Sequence, residues 1–159
     1  MSIIYIEKGA ALHAAIAAAG HWLRCDSCEE AREDGDPVTV HTWVSSDDVA
    51  VQEIIDSYSL ADARAPIIAA VKELARVKIL GFLPEWKQSN CNARMNELNL
   101  IRFSRALTDD EAAEVSMLQA IWDEAKAVRD ASNAIEAALT ALDSFEAITA
   151  FDINVGWPV

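Results

Sequence analysis

The sequence is short of the residues that interrupt regular structure, with 5 Gly and 4 Pro in 159 residues. Beside long Ala-rich stretches, that scarcity excludes a collagen-like or loop-dominated chain and points to helix as the main element. Basic residues are scarce too: 13 Lys+Arg stand against 26 Asp+Glu, a formal net charge of −13. A surface so acidic argues against nucleic acid or anionic lipid as the main partner, because phosphate binding needs clustered positive charge. No apolar run approaches the ~20 residues of a membrane span, so no membrane partner is expected. The opening MSIIYIEKGA has no basic segment before its short apolar run and does not read as a signal peptide. Cysteine is sparse and odd in number: Cys25, Cys28 and Cys91 cannot form a complete disulfide framework, which fits a reducing compartment. What is present, 52% apolar and 25% charged residues, is an ordinary globular composition. One domain, or two small ones, is expected, in a soluble cytosolic protein or one that leaves the cell by lysis.

The few basic residues are concentrated. Residues 1–63 carry 3 basic and 12 acidic groups, residues 64–105 carry 8 and 3, and residues 106–159 carry 2 and 11. A basic middle therefore lies between two acidic ends. It either packs beside acidic neighbours in the same fold or docks on a separate acidic partner; the first is adopted, since charges in one domain tend to be arranged against their opposites.

An α+β fold is expected, with a small N-terminal β-α-β-β-α unit (1–58), a linker (59–65), and a helical domain (66–159) built on a coiled-coil-like hairpin with an extended C-terminal tail. Ser2–Glu7 is rich in β-branched and aromatic residues and reads as a strand. Ala10–Ala19 are strong helix formers, and Gly20 falls where a helix C-cap is expected. His21–Ser27 and Val38–Val44 are strand candidates, joined by the acidic EEAREDGDP loop. Ser45 or Ser46 would cap the next helix, with Asp47 and Asp48 in its first turn and Val49, Ile54, Ile55 and Tyr58 on its apolar side. Pro66 suits the first turn of a helix, along which Ile67, Val71, Leu74 and Val77 form a stripe. Pro84, with Gly81 before it, should break or kink that helix. A helix over Glu85–Arg105 follows, with Met95, Leu98 and Ile101 inward. Thr108-Asp-Asp-Glu111 is a capping-box pattern. It opens the most regular stretch: Leu118, Ile121, Ala125, Val128, Ser132, Ile135, Leu139 and Leu142, in alternating steps of three and four. That heptad seam predicts left-handed packing against Glu85–Arg105, with a third element or another subunit closing the core. Asp143–Val159 reads as a short helix followed by an extended tail.

Among motifs, His21-x3-Cys25-x2-Cys28-x12-His41 is the best metal candidate: two thiols and two imidazoles could build a tetrahedral zinc site. It lacks a second tight ligand pair, and the competing reading is two thiols near a hairpin turn with solvent-facing His residues, which is adopted; no metal or other cofactor is expected. A redox role is disfavoured because the pair precedes the acidic Glu29-Glu30 rather than opening a helix, where the dipole would activate a thiol. No nucleophile–base–acid set, phosphate loop or paired catalytic carboxylates stand out, and Asp47-Asp48 and Asp109-Asp110 read as helix-start residues. The chain is thus expected not to be an enzyme. Five Trp residues carry more information. Trp122 lies beside the seam and reads as core, and Trp22 and Trp43 sit on the proposed hairpin strands, where they could pair. Trp86 opens a conspicuous polar string, and Trp157 in the terminal GWP anchors either its own tail or a partner.

The string Pro84–Leu98 (PEWKQSNCNARMNEL) resembles a segment of bacteriophage tail-associated proteins. So does Leu118–Glu136 (LQAIWDEAKAVRDASNAIE), where a helix with a Trp is followed by a VR-x-ASN-type stretch and a C-terminal WP. LHAAIAAAGHWL and WVSSDDVAVQEIIDSY are similar to small modules of the same phage proteins, whereas CDSCEEAREDGDP departs from the pattern. The resemblance covers most of the chain and implies a tail or tail-fibre protein, a baseplate part or a tail-fibre assembly chaperone, with no catalytic residue. The expected function is a non-enzymatic chaperone that covers immature fibre surface, acting in the host cytoplasm during assembly. The alternatives are a permanent component of the virion tail and a small zinc-binding regulatory protein. Trp86, Met95, Leu98, Trp122 and Trp157 are the residues expected to hold the phage partner, and homo-oligomerisation is left open.

Overall fold

Gly9 opens the first helix because its backbone, at φ 81° and ψ 176°, occupies a region essentially closed to other residues. A Cβ there would also lie 2.6 Å from the Thr149 hydroxyl oxygen. From this point the computed structural model describes residues 8–30 and 38–158, and for 27–30 and 38–41 their backbone alone. The protein is mostly helical with one small antiparallel two-stranded sheet, an α+β composition. The strand expected at Ser2–Glu7 and the acidic loop at 31–37 lie outside the described residues.

The chain divides into two compact units, Met1–Pro66 with Leu142–Phe151, and Ile67–Ala141 with Asp152–Val159. In the first unit, α1 (Ala10–Ala18) buries Leu12 and Ile16, and Gly20 follows it at φ 83°, the left-handed position expected after a helix C-terminus. Strands β1 (Leu23–Glu30) and β2 (Val38–Ser45) pair antiparallel, with Cys25 opposite Trp43 and Leu23 opposite Ser45. Trp22 therefore precedes the ladder and does not pair with Trp43. Its carbonyl accepts from the Ser46 amide, and Arg24 lies over its ring. Trp43 instead faces His13 of α1, with ring centroids 6.0 Å apart.

Helix α2 (Asp48–Ser57) is capped by Asp47 rather than by a serine; the carboxylate accepts from the amides of Val49 and Ala50. Ser46 is diverted, since its hydroxyl accepts from the Trp22 amide. The buried side of α2 is Val51 and Ile55, while Val49 faces out. Lys8 donates to the carbonyls of Ile55 and Tyr58, a cation placed where helix dipoles favour one. Short helix α6 (Phe145–Thr149) completes this unit: Ile148 is buried and Phe145 stacks on Tyr58.

Helix α3 (Leu60–Phe82) starts earlier than expected. The stretch expected as a linker is helical from Leu60, because Ser59 and Asp62 cap it reciprocally: the Asp62 carboxylate accepts from the Ser59 amide and the Ser59 hydroxyl from the Asp62 amide. Pro66 consequently sits inside the helix, not in its first turn. In the second unit, Pro84 ends one helix and caps the next, α4 (Glu85–Ser104). Thr108 and Glu111 close the expected capping box at the start of α5 (Asp109–Thr140).

The core of this unit is Leu83, Cys91, Leu98, Leu118 and Ala125, with Ile79, Phe82, Met95, Ile101, Ile121 and Trp122 packed against it. The end of α3 is thus the third element that the α4–α5 hairpin needed. The seam of α5 is buried at Leu118, Ala125, Val128, Ser132, Ile135 and Leu139. The basic middle largely pairs within the fold: Arg94 bridges Glu114 at 2.7 Å, Arg105 bridges Glu111 at 2.7 Å and Lys72 meets Glu136 at 3.5 Å.

Candidate functional site

The His/Cys motif falls on β1, β2 and the residue positions before them. Cys25 is exposed, and His21 exchanges a hydrogen bond with Ser46 through Nδ1 at 3.2 Å. Cys28 is registered opposite Val40, and His41 opposite Ser27. The backbone from Leu23 to Glu30 is one continuous strand, without the turn by which a Cys-x2-Cys pair normally wraps a metal. Among the described residues no three His, Cys, Asp or Glu side chains cluster to hold an ion.

The groups whose acidity is shifted are chiefly those engaged in caps and ion pairs. Glu111 is pulled down to about 2, first by the Arg105 guanidinium and then by the Thr108 amide. Glu114 is lowered by Arg94, and Asp62 by its bonds from Ser59. Tyr58 is raised, by burial first and by the Asp62 charge second. Tyr58 and Asp62 line an open cleft of about 650 Å³ in the first unit, together with Ala11, Ala15 and Ile54. Asp62 is already committed there to the N-terminus of α3.

The five residues expected to hold a partner separate into three environments. Leu98 is fully buried in the second unit's own core, so it offers no surface to another chain and is corrected to a packing residue. Met95 and Trp122 are half-buried and lean on that same core. Trp157 is held by its own unit: its indole N–H donates to the Ile153 carbonyl at 2.8 Å and Lys78 lies over its ring. It pins the tail, which is the first of the two roles weighed for it. Trp86 is different, 67% exposed on the first turn of α4.

Two residues that sequence reasoning missed join it. Leu100 is 69% and Phe103 90% exposed. Trp86, Ala93 and Leu100 recur at steps of seven, and Phe103 follows Leu100 by three, so all four share one side of α4. Ser89, Asn96 and Asn99, all exposed, fill the same side. The buried residues Cys91 and Leu98 occupy the opposite side of the helix. The signal was available in the seven-residue repeat from Trp86, which mirrors the inward repeat of Cys91 and Leu98.

Comparison with protein-family models, curated proteins and solved structures gives no significant match.

Proposed function

We propose that this protein is a non-enzymatic binding factor that holds another polypeptide against the outer side of α4. The observation that carries the reading is the outward presentation of Trp86, Leu100 and Phe103 on one helix side. Leaving such side chains in water forgoes roughly 1.5–3 kcal/mol each relative to burying them. Scattered exposed apolar residues are ordinary, but a run on one rigid face is the usual mark of an interaction surface. An aromatic pair at its two ends supplies the rigid anchors that dominate interface energies. The capping and core packing of α4 are independent of these residues, so the face is free to be specialised for a partner.

The resemblance of 84–98 and 118–136 to phage tail-associated proteins supports a tail-fibre or other tail polypeptide as the partner. On this reading the protein is an assembly chaperone in the host cytoplasm, covering fibre surface that would otherwise associate wrongly, and its first unit is the β-α-β-β-α module expected from the sequence. Co-expression with the tail-fibre polypeptide followed by affinity capture tests it. Trp86→Ala with Phe103→Ser should lower capture at least tenfold while circular dichroism and the melting temperature stay close to wild type. Undiminished capture by that folded double variant would refute the assignment of the face. Mass spectrometry of purified virions separates a chaperone, which is absent from them, from a permanent tail component present in near-stoichiometric amount.

A further inference from the structure

Tyr58 is 9% exposed, and its backbone is engaged: the amide donates to the Ile54 carbonyl and its own carbonyl accepts from Lys8. Its hydroxyl, in contrast, makes no hydrogen bond among the described residues. A tyrosine packed this deeply ordinarily finds a partner for that group. Tyr58 lines the open cleft of about 650 Å³ in the first unit, a volume within the range of small-molecule sites. The cleft walls are apolar: Ala11, Ala14 and Ala15 of α1, Ile54 of α2, and Ala65 and Pro66 of α3. Ser57, also at the cleft, is spent on the Ile54 carbonyl. Asp62 takes both Ser59 bonds on Oδ2, so Oδ1 can still accept. Tyr58 lies close enough to that carboxylate for its charge to add to burial in raising the phenol pKa. The hydroxyl is thereby held neutral, with its oxygen open to a donor.

We propose that this cleft binds a small organic amine, a primary ammonium on an alkyl or arylalkyl stem, with the stem against α1 and α3 and the cation between the Asp62 carboxylate and the Tyr58 hydroxyl. An ammonium brings three donors and no acceptor, the complement of a carboxylate and a phenol oxygen with open lone pairs. Among the described residues that line the cleft none is basic, so the Asp62 charge has no counter-ion there. Lys8 is occupied elsewhere, with the carbonyls of Ile55 and Tyr58 and over the Phe145 ring. In the unit as a whole, acidic residues outnumber basic ones 14 to 4, so its field draws a cation and repels a carboxylate or phosphate. A neutral ligand of the same shape would gain the apolar contact alone. The site lies within the first unit and rests on nothing in α4.

The test is titration of n-hexylammonium into the isotope-labelled full chain at pH 7, followed by amide NMR. One-to-one binding with a Kd of about 0.1–1 mM is expected, with the largest shifts at Ala11, Ala14, Asp62 and Ala65. Raising NaCl from 20 to 300 mM should weaken it about threefold. Hexanoate and 1-hexanol should bind at least fivefold more weakly. Asp62→Asn, which keeps an oxygen for the Ser59 amide and loses the charge, should weaken hexylammonium about tenfold. Tyr58→Phe keeps the ring on Phe145 and should cost about three- to tenfold; Ala14→Leu, at an exposed position, should fill the cleft and cost at least as much. If Asp62→Asn loosens α3, these two variants decide. No shift at 10 mM hexylammonium, shifts confined to other residues, or equal binding of 1-hexanol would overturn the site, as would wild-type affinity in both Tyr58→Phe and Ala14→Leu. Nα-acetyl-lysine methylamide, with its shorter stem, should bind more weakly than hexylammonium. Tighter binding of that lysine derivative would overturn the free amine in favour of a basic side chain of another polypeptide.

Discussion

Glu111 takes part in two devices at once. Its carboxylate accepts the Thr108 amide in the capping box and receives both Nη groups of Arg105, each at 2.7 Å. Because Arg105 is the C-cap of α4 and Thr108 the N-cap of α5, this one side chain fixes the turn between the two helices. Two parallel charge-assisted bonds favour the ionised form, which is why its pKa falls from 4.5 to about 2. The sign follows from linkage: a depressed carboxyl pKa stabilises the fold fully above about 4.5, and the benefit fades as pH drops toward about 2. Glu111→Gln should therefore lower the melting temperature at pH 7, and the gap to wild type should close as the pH is taken down to about 2. A gap that stays constant from pH 7 to pH 2 would show that the ionised pairing contributes nothing. Single residues were unevenly legible. The capping box stood in the sequence because Thr and Glu three apart satisfy each other's orphan groups. Phe103 did not stand out, because an outward apolar residue has the same helical spacing as an inward one and only the fold decides which side is covered.

At the scale of elements, α3 shows how one local signal overrode another. Pro66 reads as the start of a helix, but Ser59 and Asp62 cap it two turns earlier. The helix runs through the proline, which has no N–H to give the Asp62 carbonyl and sits at the border between the two compact units. Proline in a helix interior costs about 3 kcal/mol relative to alanine, partly recovered because it restricts the unfolded chain. Pro66→Ala should accordingly raise stability by about 1–3 kcal/mol in urea unfolding. A loss would mean that the ring itself packs usefully in the cleft it lines with Ala65. The α5 seam was legible from Leu118 to Leu139, since its alternating steps of three and four leave one stripe facing the core, but Leu142, the last residue expected in it, lies beyond the helix end at Thr140. The α2 cap was not: Ser45, Ser46, Asp47 and Asp48 are all good caps, and the choice of Asp47 depends on Ser46 being drawn to Trp22 by the strand pairing. The Trp22–Trp43 pairing failed for a related reason, because the long acidic connection between the two strands allows several registers and does not fix which residues face each other.

Over the whole molecule the acidity is unequally shared. The unit Met1–Pro66 with Leu142–Phe151 holds 4 basic and 14 acidic residues, whereas Ile67–Ala141 with Asp152–Val159 holds 9 and 12. The basic middle of the sequence thus supplies counter-charge to the helical unit, through Arg94–Glu114, Arg105–Glu111 and Lys72–Glu136, and little to the other. Salt should act on the two in opposite senses. Screening shortens from about 30 Å at 0.01 M to about 10 Å at 0.1 M, which relieves repulsion among unpaired carboxylates and weakens exposed pairs. Amide hydrogen exchange at pH 7 reads each element separately. Between 10 and 300 mM NaCl, protection of the α2 amides should rise by on the order of 1 kcal/mol, while that of α4 and α5 near Arg94 and Arg105 stays level or falls. Equal salt responses would mean that the acidic excess is dispersed too widely to strain its unit. A rise confined to α2 would identify self-repulsion among its carboxylates as the term limiting that unit's stability.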